Sequence, residues 1–189
     1  MGGRTEAETE TAVLLADGSV PLTPEALIAK LEELGIAQRS VEHPPLFTVE
    51  QSKALRGQLP GGHTKNLFLR NKKGAMWLVT SLEDRPLDLK KLGELLGGGR
   101  LSFGSAERLM RHLGVLPGAV TPLAVINDHE AAVTLVLDAG LLEQEPVNVH
   151  PLTNEQTTAM AAADLIRFAE STGHPPRIVD LVQAERDPG

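Results

Sequence analysis

His63-Thr64-Lys65-Asn66-Leu67-Phe68-Leu69-Arg70 runs into Asn71-Lys72-Lys73-Gly74 and then into Ala75-Met76-Trp77-Leu78-Val79-Thr80. Residues 65–70 and 75–80 each read as a strand rich in apolar and aromatic side chains. The polar insert ending in Gly74 reads as the turn of a hairpin. His63 and Thr64 read as the loop that leads in, so Lys65 stands where a loop becomes a strand. Side chains alternate along a strand, so Lys65 and Asn66 point to opposite faces.

Outward from this hairpin the chain alternates helices and strands. Upstream, Leu59-Pro60-Gly61-Gly62 is a loop, and Thr48 is placed to cap a helix over 49–55. Residues 37–42 form a short strand leading into His43-Pro44-Pro45. Thr23-Pro24-Glu25 opens a helix with Leu27, Ile28, Leu31 and Leu34 on one face, and Gly35 stops it. Downstream, Asp88 starts a helix that ends in Gly97-Gly98-Gly99. Ser105 starts another, which bears Leu109, Met110 and Leu113 and ends at Gly114. Residues 123–126 and 133–137 read as a second strand pair and 147–149 as a further strand. Residues 164–171 are an amphipathic helix ended by Gly173, and 178–181 are a last strand. Neighbouring strands joined by short turns predict a mixed α/β (α+β) single domain over 21–189 rather than a doubly wound parallel sheet. Residues 1–20 are small, polar and acidic, and read as a flexible N-terminal tail.

Charge is distributed unevenly. The formal net charge is −7, yet residues 51–82 hold Lys53, Arg56, Lys65, Arg70, Lys72 and Lys73 and no acid. Residues 51–111 hold 12 of the 18 Lys and Arg residues against 5 acids, a local balance of +7, so the remainder carries −14. An acidic protein with one central basic stretch is expected to meet a polyanion at one face. With 3% aromatics and no Tyr, a base-stacking platform is not expected. Zero cysteines exclude disulfides, thiolate nucleophiles and Cys-containing zinc sites, and fit a cytoplasmic protein. No apolar run is long enough to span a membrane, and no secretory signal is read.

Individual motifs are modest by themselves. Gly61-Gly62 precedes Lys65 without forming a P-loop or a dinucleotide fingerprint. None of His43, His63, His112, His129, His150 and His174 has the local spacing of a metal site, so no metal and no cofactor is expected. His150 ends a strand, and Pro151 fixes the turn after it. It reads either as a positioned site residue or as a core-edge histidine. Lys65 reads as a solvated lysine, or as an inward-facing one that needs an anion. No acid is near it in sequence, and a ligand phosphate would serve. Gly118-Ala119-Val120-Thr121-Pro122 reads as a plain helix-to-strand connector, or as a rigid turn offering bare backbone to a ligand.

Taken together and in order, several phrases resemble the YbaK/ProX family of aminoacyl-tRNA deacylases. These are His43-Pro44-Pro45-Leu46-Phe47-Thr48-Val49-Glu50, the run Thr64 to Lys73, residues 104–109 with Gly114, the Gly118 to Pro122 turn, and Val149-His150-Pro151-Leu152-Thr153-Asn154. The likeness extends over about residues 24–181. Trp77-Leu78-Val79-Thr80, residues 100–104 and residues 157–174 make it most similar to the free-standing branch that hydrolyses alanyl-tRNA(Pro).

The resemblance implies a compact α/β fold with a curved mixed sheet surrounded by helices. It implies a catalytic set of Lys65, Gly118 and His150, with substrate contacts from Asn66, Pro122, His43 and Phe47 and no metal. It also implies a tRNA partner met through its acceptor stem and 3′ end, with Arg70, Lys72, Lys73 and Arg100 as RNA contacts. Association with a prolyl-tRNA synthetase is left open. An aminoacyl ester is already activated, so hydrolysis needs a placed water and a stabilised oxyanion rather than a strong nucleophile. The alternatives are an editor for Cys, Ser or Thr, a non-catalytic module that binds charged tRNA ends, and a metal-dependent hydrolase.

Overall fold

A computed structural model of the chain describes residues 13–46, 49–56 and 59–189. The hairpin is its centre. Strand β2 (Gly62–Arg70) and strand β3 (Met76–Leu82) pair antiparallel, with Lys65 opposite Ser81 and Leu69 opposite Trp77. Asn71 Oδ1 accepts from the amides of Lys73 and Ala75, each at 3.0 Å, which closes the turn. The strand begins at Gly62, three residues before the expected start, because Gly62 and His63 pair parallel with Val147 and Asn148 of β6 (Val147–Val149).

The remaining strands extend this hairpin on both sides. On one side, β7 (Gln156–Met160) pairs antiparallel with β6 and with β1 (Gln38–Glu42). On the other, β5 (Val133–Asp138) pairs parallel with β3, and β8 (Arg177–Val179) pairs parallel with β5. The two-residue β4 (Ser102–Phe103) pairs with the end of β2. The eight-stranded mixed sheet has the order β1-β7-β6-β2-β3-β5-β8, with β4 off this path. This is the mixed α/β class expected.

Burial on both faces explains the apolar character of the central strands. One core joins Phe68, Leu78, Leu135 and Val149 to residues of α1 (Pro24–Glu33), α4 (Ala106–Leu113) and α5 (Ala162–Ser171). The other joins Leu69, Trp77, Val79 and Val136 to α3 (Leu89–Leu96) and to a C-terminal 3₁₀ turn at Leu181–Ala184. The helix starts are capped as expected. Thr23 accepts from Ala26, Asp88 from Lys90 and Lys91, and Ser105 from Arg108. Each such cap contributes about 1 kcal/mol.

Four expectations differ from the structure. Residues 123–126 are not a strand; they lie in a 3₁₀ turn, Pro122–Asn127, whose Thr121 side chain accepts from Leu123 N. Pro122 brings no amide to a ladder, and Leu123, Ala124 and Val125 are buried among the helices. A short apolar run reads alike in either state. The last strand stops at Val179, because the Asp180 side chain accepts from Val182 N and starts the C-terminal 3₁₀ turn. Strand β7 was not expected, since Thr157 and Thr158 are both buried and so hide the period-2 pattern. The described part of the expected tail is packed, with Leu15 buried and Ala16 N bonded to Arg111 O at 2.8 Å. Phe47 and the expected cap Thr48 lie outside the described residues, whereas helix α2 (Val49–Arg56) is present.

Candidate active site

Where β6 leaves the sheet, His150 is fixed by a hydrogen bond from its Nδ1 to the carbonyl of Gln156 at 3.1 Å. Burial pushes the ring below the ordinary histidine value; the Gln156 bond opposes this, and neighbouring His43 adds to it. His150 is therefore neutral at pH 7, with Nδ1 protonated and Nε2 bearing a lone pair. His43, just past β1, donates from Nδ1 to Pro44 O at 2.8 Å, and its Nε2 lies 2.9 Å from Thr157 Oγ1. His150 lines a small cleft of about 50 Å³ with Leu46, His63, Thr64, Glu83, Asn148, Val149 and Thr157.

His63 and Glu83 also form part of the wall of a larger, adjoining hollow of about 490 Å³, and Glu83 N donates to His63 O at 3.0 Å. Leu82, Asp84, Arg85, Pro86 and Glu185 also line it. Lys65 is partly buried, and its Nζ donates to the carbonyl of Arg85, one of the residues that line the hollow. Burial lowers its pKa from the ordinary lysine value, the charges of Arg186 and Arg85 add to that, and the carboxylates of Asp84 and Glu83 oppose it in part. The Arg85 side chain is itself held by Asp138 at 2.7 Å and Glu185 at 2.5 Å. An ammonium under such pressure gains from an arriving anion.

The structure thus brings His43 and His150 together and sets Lys65 beside the hollow that adjoins them. Gly118 sits elsewhere, exposed in a 3₁₀ turn (Pro117–Ala119). A Cβ built there would meet Asn154 Nδ2 at 3.1 Å, so the turn abuts the loop that follows His150. Asn66 turns to the other face of β2, where its Oδ1 accepts from Thr80 Oγ1 at 2.7 Å. Pro122 is buried at the start of the 3₁₀ turn. Phe47 is outside the described residues.

Sequence reasoning did not single out Asn148, Thr157 or Arg85. Asn148 did leave a signal: it is a polar residue inside an apolar three-residue strand.

The basic residues form a separate surface. Lys72 and Lys73 are exposed at the β2–β3 turn. Asn71 Nδ2 donates to Gly98 O at 3.0 Å, which ties this turn to the glycine loop carrying exposed Arg100. Arg70 pairs with Ser102 across the same corner. At about 3.3 Å per strand residue, Arg70 lies about 17 Å along β2 from Lys65.

Among the described residues, no three His, Asp or Glu side chains are grouped so as to hold a metal ion. No described helix is long and apolar enough to cross a membrane.

The profile of the aminoacyl-tRNA editing domain matches residues 43–168. The chain is 37% identical over 158 residues to the prolyl-tRNA editing protein ProX of Acetoanaerobium sticklandii, covering 83% of this chain and 96% of that protein. It is 40% identical over 182 residues to prolyl-tRNA synthetase associated domain-containing protein 1 of Danio rerio, covering 93% and 98%. In fold it is similar to the crystal structure of a candidate trans-editing enzyme for prolyl tRNA synthetase. The TM-score is 0.66 at 23% identity, with 88% of this chain and 99% of that one covered. The matched region contains His43, Lys65, Gly118 and His150, and this chain belongs to the aminoacyl-tRNA editing domain family.

Proposed function

We propose that this chain is a free-standing editing hydrolase that cleaves the ester of mischarged tRNA, with alanyl-tRNA(Pro) as its foremost substrate. Its family and the prolyl-tRNA names of its relatives support the class. The observation that carries the assignment is the pairing of a neutral His150 in a polar cleft with a cation, Lys65, beside the adjoining hollow. Water adds to the acyl carbon, the oxyanion collapses, the ester C–O bond breaks, and the ribose hydroxyl and free amino acid leave. His150 Nε2 orients the aminoacyl end or the water. Lys65 meets the terminal phosphate or the developing charge, and Gly118 offers backbone groups to the substrate. Such an enzyme works in the cytoplasm, where a prolyl-tRNA synthetase would supply the mischarged product.

The test is deacylation of tRNA charged with Ala, Ser, Cys, Thr or Pro, with and without EDTA. Alanyl-tRNA(Pro) is expected to be cleaved best and prolyl-tRNA spared, with rates unchanged by the chelator. tRNA binding without cleavage of any ester would leave a binding module. Activity lost in EDTA and restored by zinc would leave a metal-dependent hydrolase.

Neutralising Lys72 with Lys73, or Arg70 with Arg100, is expected to raise the tRNA concentration for half-maximal rate. Each lost phosphate contact should also flatten the slope of log affinity against log salt by roughly 0.9. The maximal rate should change little. Unchanged affinity and salt slope in both double variants would place the RNA on another surface.

A further inference from the structure

One aromatic ring among the described residues stands in water. Phe103 is 60% exposed, whereas Phe68, Trp77 and Phe168 are buried. Its backbone is held on both sides. Phe103 pairs with Leu69 in the β2–β4 ladder, and the next residue, Gly104, donates its N–H to Phe68 O at 2.9 Å. A Cβ on Gly104 would stand 2.6 Å from the Phe68 ring, so the chain lies close against that ring. Ser105 then caps α4, accepting from Arg108 N at 3.1 Å. The Phe103 ring is thus carried on a fixed support, and little order is lost when something packs on it.

The surroundings are basic rather than apolar. Residues 67–75 and 97–108, which meet at this corner, hold Arg70, Lys72, Lys73, Arg100 and Arg108 against one acid, Glu107. None of the other exposed large apolar residues lies in these segments. A protein partner needs an apolar patch around such a ring, whereas a nucleic acid needs cations around it for its phosphates.

The ring also stands in line with the candidate site. Direct pairing sets Phe103 on the same face of the sheet as Leu69, and alternation along β2 adds Leu67 and Lys65 to that face. Four residues of strand separate Lys65 from Leu69, about 13 Å. Strand β6 pairs with this edge of β2 at Gly62 and His63, and β4 pairs with it at Leu69 and Arg70. Among the described residues no strand pairs with the stretch between. An extended single strand with its end at Lys65 reaches Phe103 within a few nucleotides.

We propose that Phe103 is a stacking contact for one unpaired base of the tRNA 3′ overhang, the base lying on the exposed ring while Arg70, Lys72, Lys73 and Arg100 hold phosphates nearby. This deepens the editing function above and rests on it. Bases of an overhang are free to splay out and lie on a ring, and bases inside a duplex are not. Stacking adds affinity without releasing counterions, so it serves a chain whose net charge of −7 opposes RNA at long range.

The experiment measures binding and single-turnover cleavage of alanyl-tRNA(Pro) by the wild type, Phe103→Ala, Phe103→Leu and Phe103→Trp at several salt concentrations. The Ala variant should bind about 5- to 100-fold more weakly, the range for one lost base–aromatic stack. Leu is apolar but has no π-face and should stay near Ala, while Trp should return to within about threefold of the parent. The slope of log affinity against log salt should not change, in contrast to the basic double variants. Abasic substitutions along the overhang, one position at a time, locate the base. One of them should weaken the wild type as much as Phe103→Ala does and add little in that variant. If no abasic position couples to Phe103, or if Leu restores affinity as well as Trp, the ring stacks on no base and the proposal is wrong. Unaltered RNA affinity with a changed oligomeric state gives the ring to a protein contact and overturns it as well. Where the wild type cleaves alanyl-tRNA(Pro) and only the coupling is missing, the editing function stands. If the wild type neither binds nor cleaves it, that function fails and this proposal with it. Should Phe103→Ala not fold, Phe103→Leu takes its place in the cycle.

Discussion

Lys65→Ala is expected to lower deacylation of alanyl-tRNA(Pro) by about 100-fold or more, the usual loss when a preorganised charge at a reacting centre is removed. The melting temperature should stay within a degree or two of the parent, because surface-type losses are small. The structure explains why the two effects separate. The Lys65 ammonium is partly buried, and Arg85 and Arg186 crowd it. Its folded pKa is lowered, so protonation is less favourable in the fold than in the unfolded chain, and the charge burdens stability at every pH below that pKa. Lys65→Met, which keeps the apolar stem and removes the charge, should therefore melt no lower than the parent while being equally inactive. A merely solvated lysine would give near-normal single-turnover rates in both variants. That outcome would remove Lys65 from the site.

What could be read in the chain was what the chain decides locally. The 62–82 hairpin, the caps at Thr23, Asp88 and Ser105, and the helix ends at Gly35, Gly97 and Gly114 all depend on residues a few positions apart. Residues 122–127 misled because burial in a helical core and burial in a sheet demand the same apolar run. The site was legible only in part, for the same reason. Lys65 and His150 stand out at ends and junctions. Asn148, Thr157 and Arg85 acquire meaning through partners far away in sequence: Pro60 and Gly62 for Asn148, His43 for Thr157, Lys65 and Asp138 for Arg85. Asn66, adjacent to Lys65, faces Thr80 on the opposite side of the strand, as alternation requires.

The largest stability effect is expected at the support beneath Lys65. Asp138 ends β5 fully buried and accepts from Arg85 Nε at 2.7 Å, Gly140 N at 3.1 Å and Leu82 N at 3.3 Å. Removing its carboxylate leaves a guanidinium whose side chain is only 9% exposed, with Glu185 as its remaining acid. Breaking a buried pair from one side costs about 3 kcal/mol or more, because the stranded charge stays desolvated. At roughly 2–4 °C per kcal/mol for a chain of this size, Asp138→Ala should melt about 6–12 °C lower. Replacing both partners, Arg85→Met with Asp138→Leu, removes the stranded charge and should recover a good part of that loss. Activity need not return with it. The Arg85 carbonyl that receives Lys65 Nζ is positioned by the turn that the Arg85, Asp138 and Glu185 side chains pin down. Thermal melts and single-turnover rates on the three variants separate these effects. If Asp138→Ala melts within about 2 °C of the parent, the pair is not what holds this turn. If the double variant regains stability and full activity together, the turn holds its place without the ion pair, and Lys65 owes its position to the strand alone.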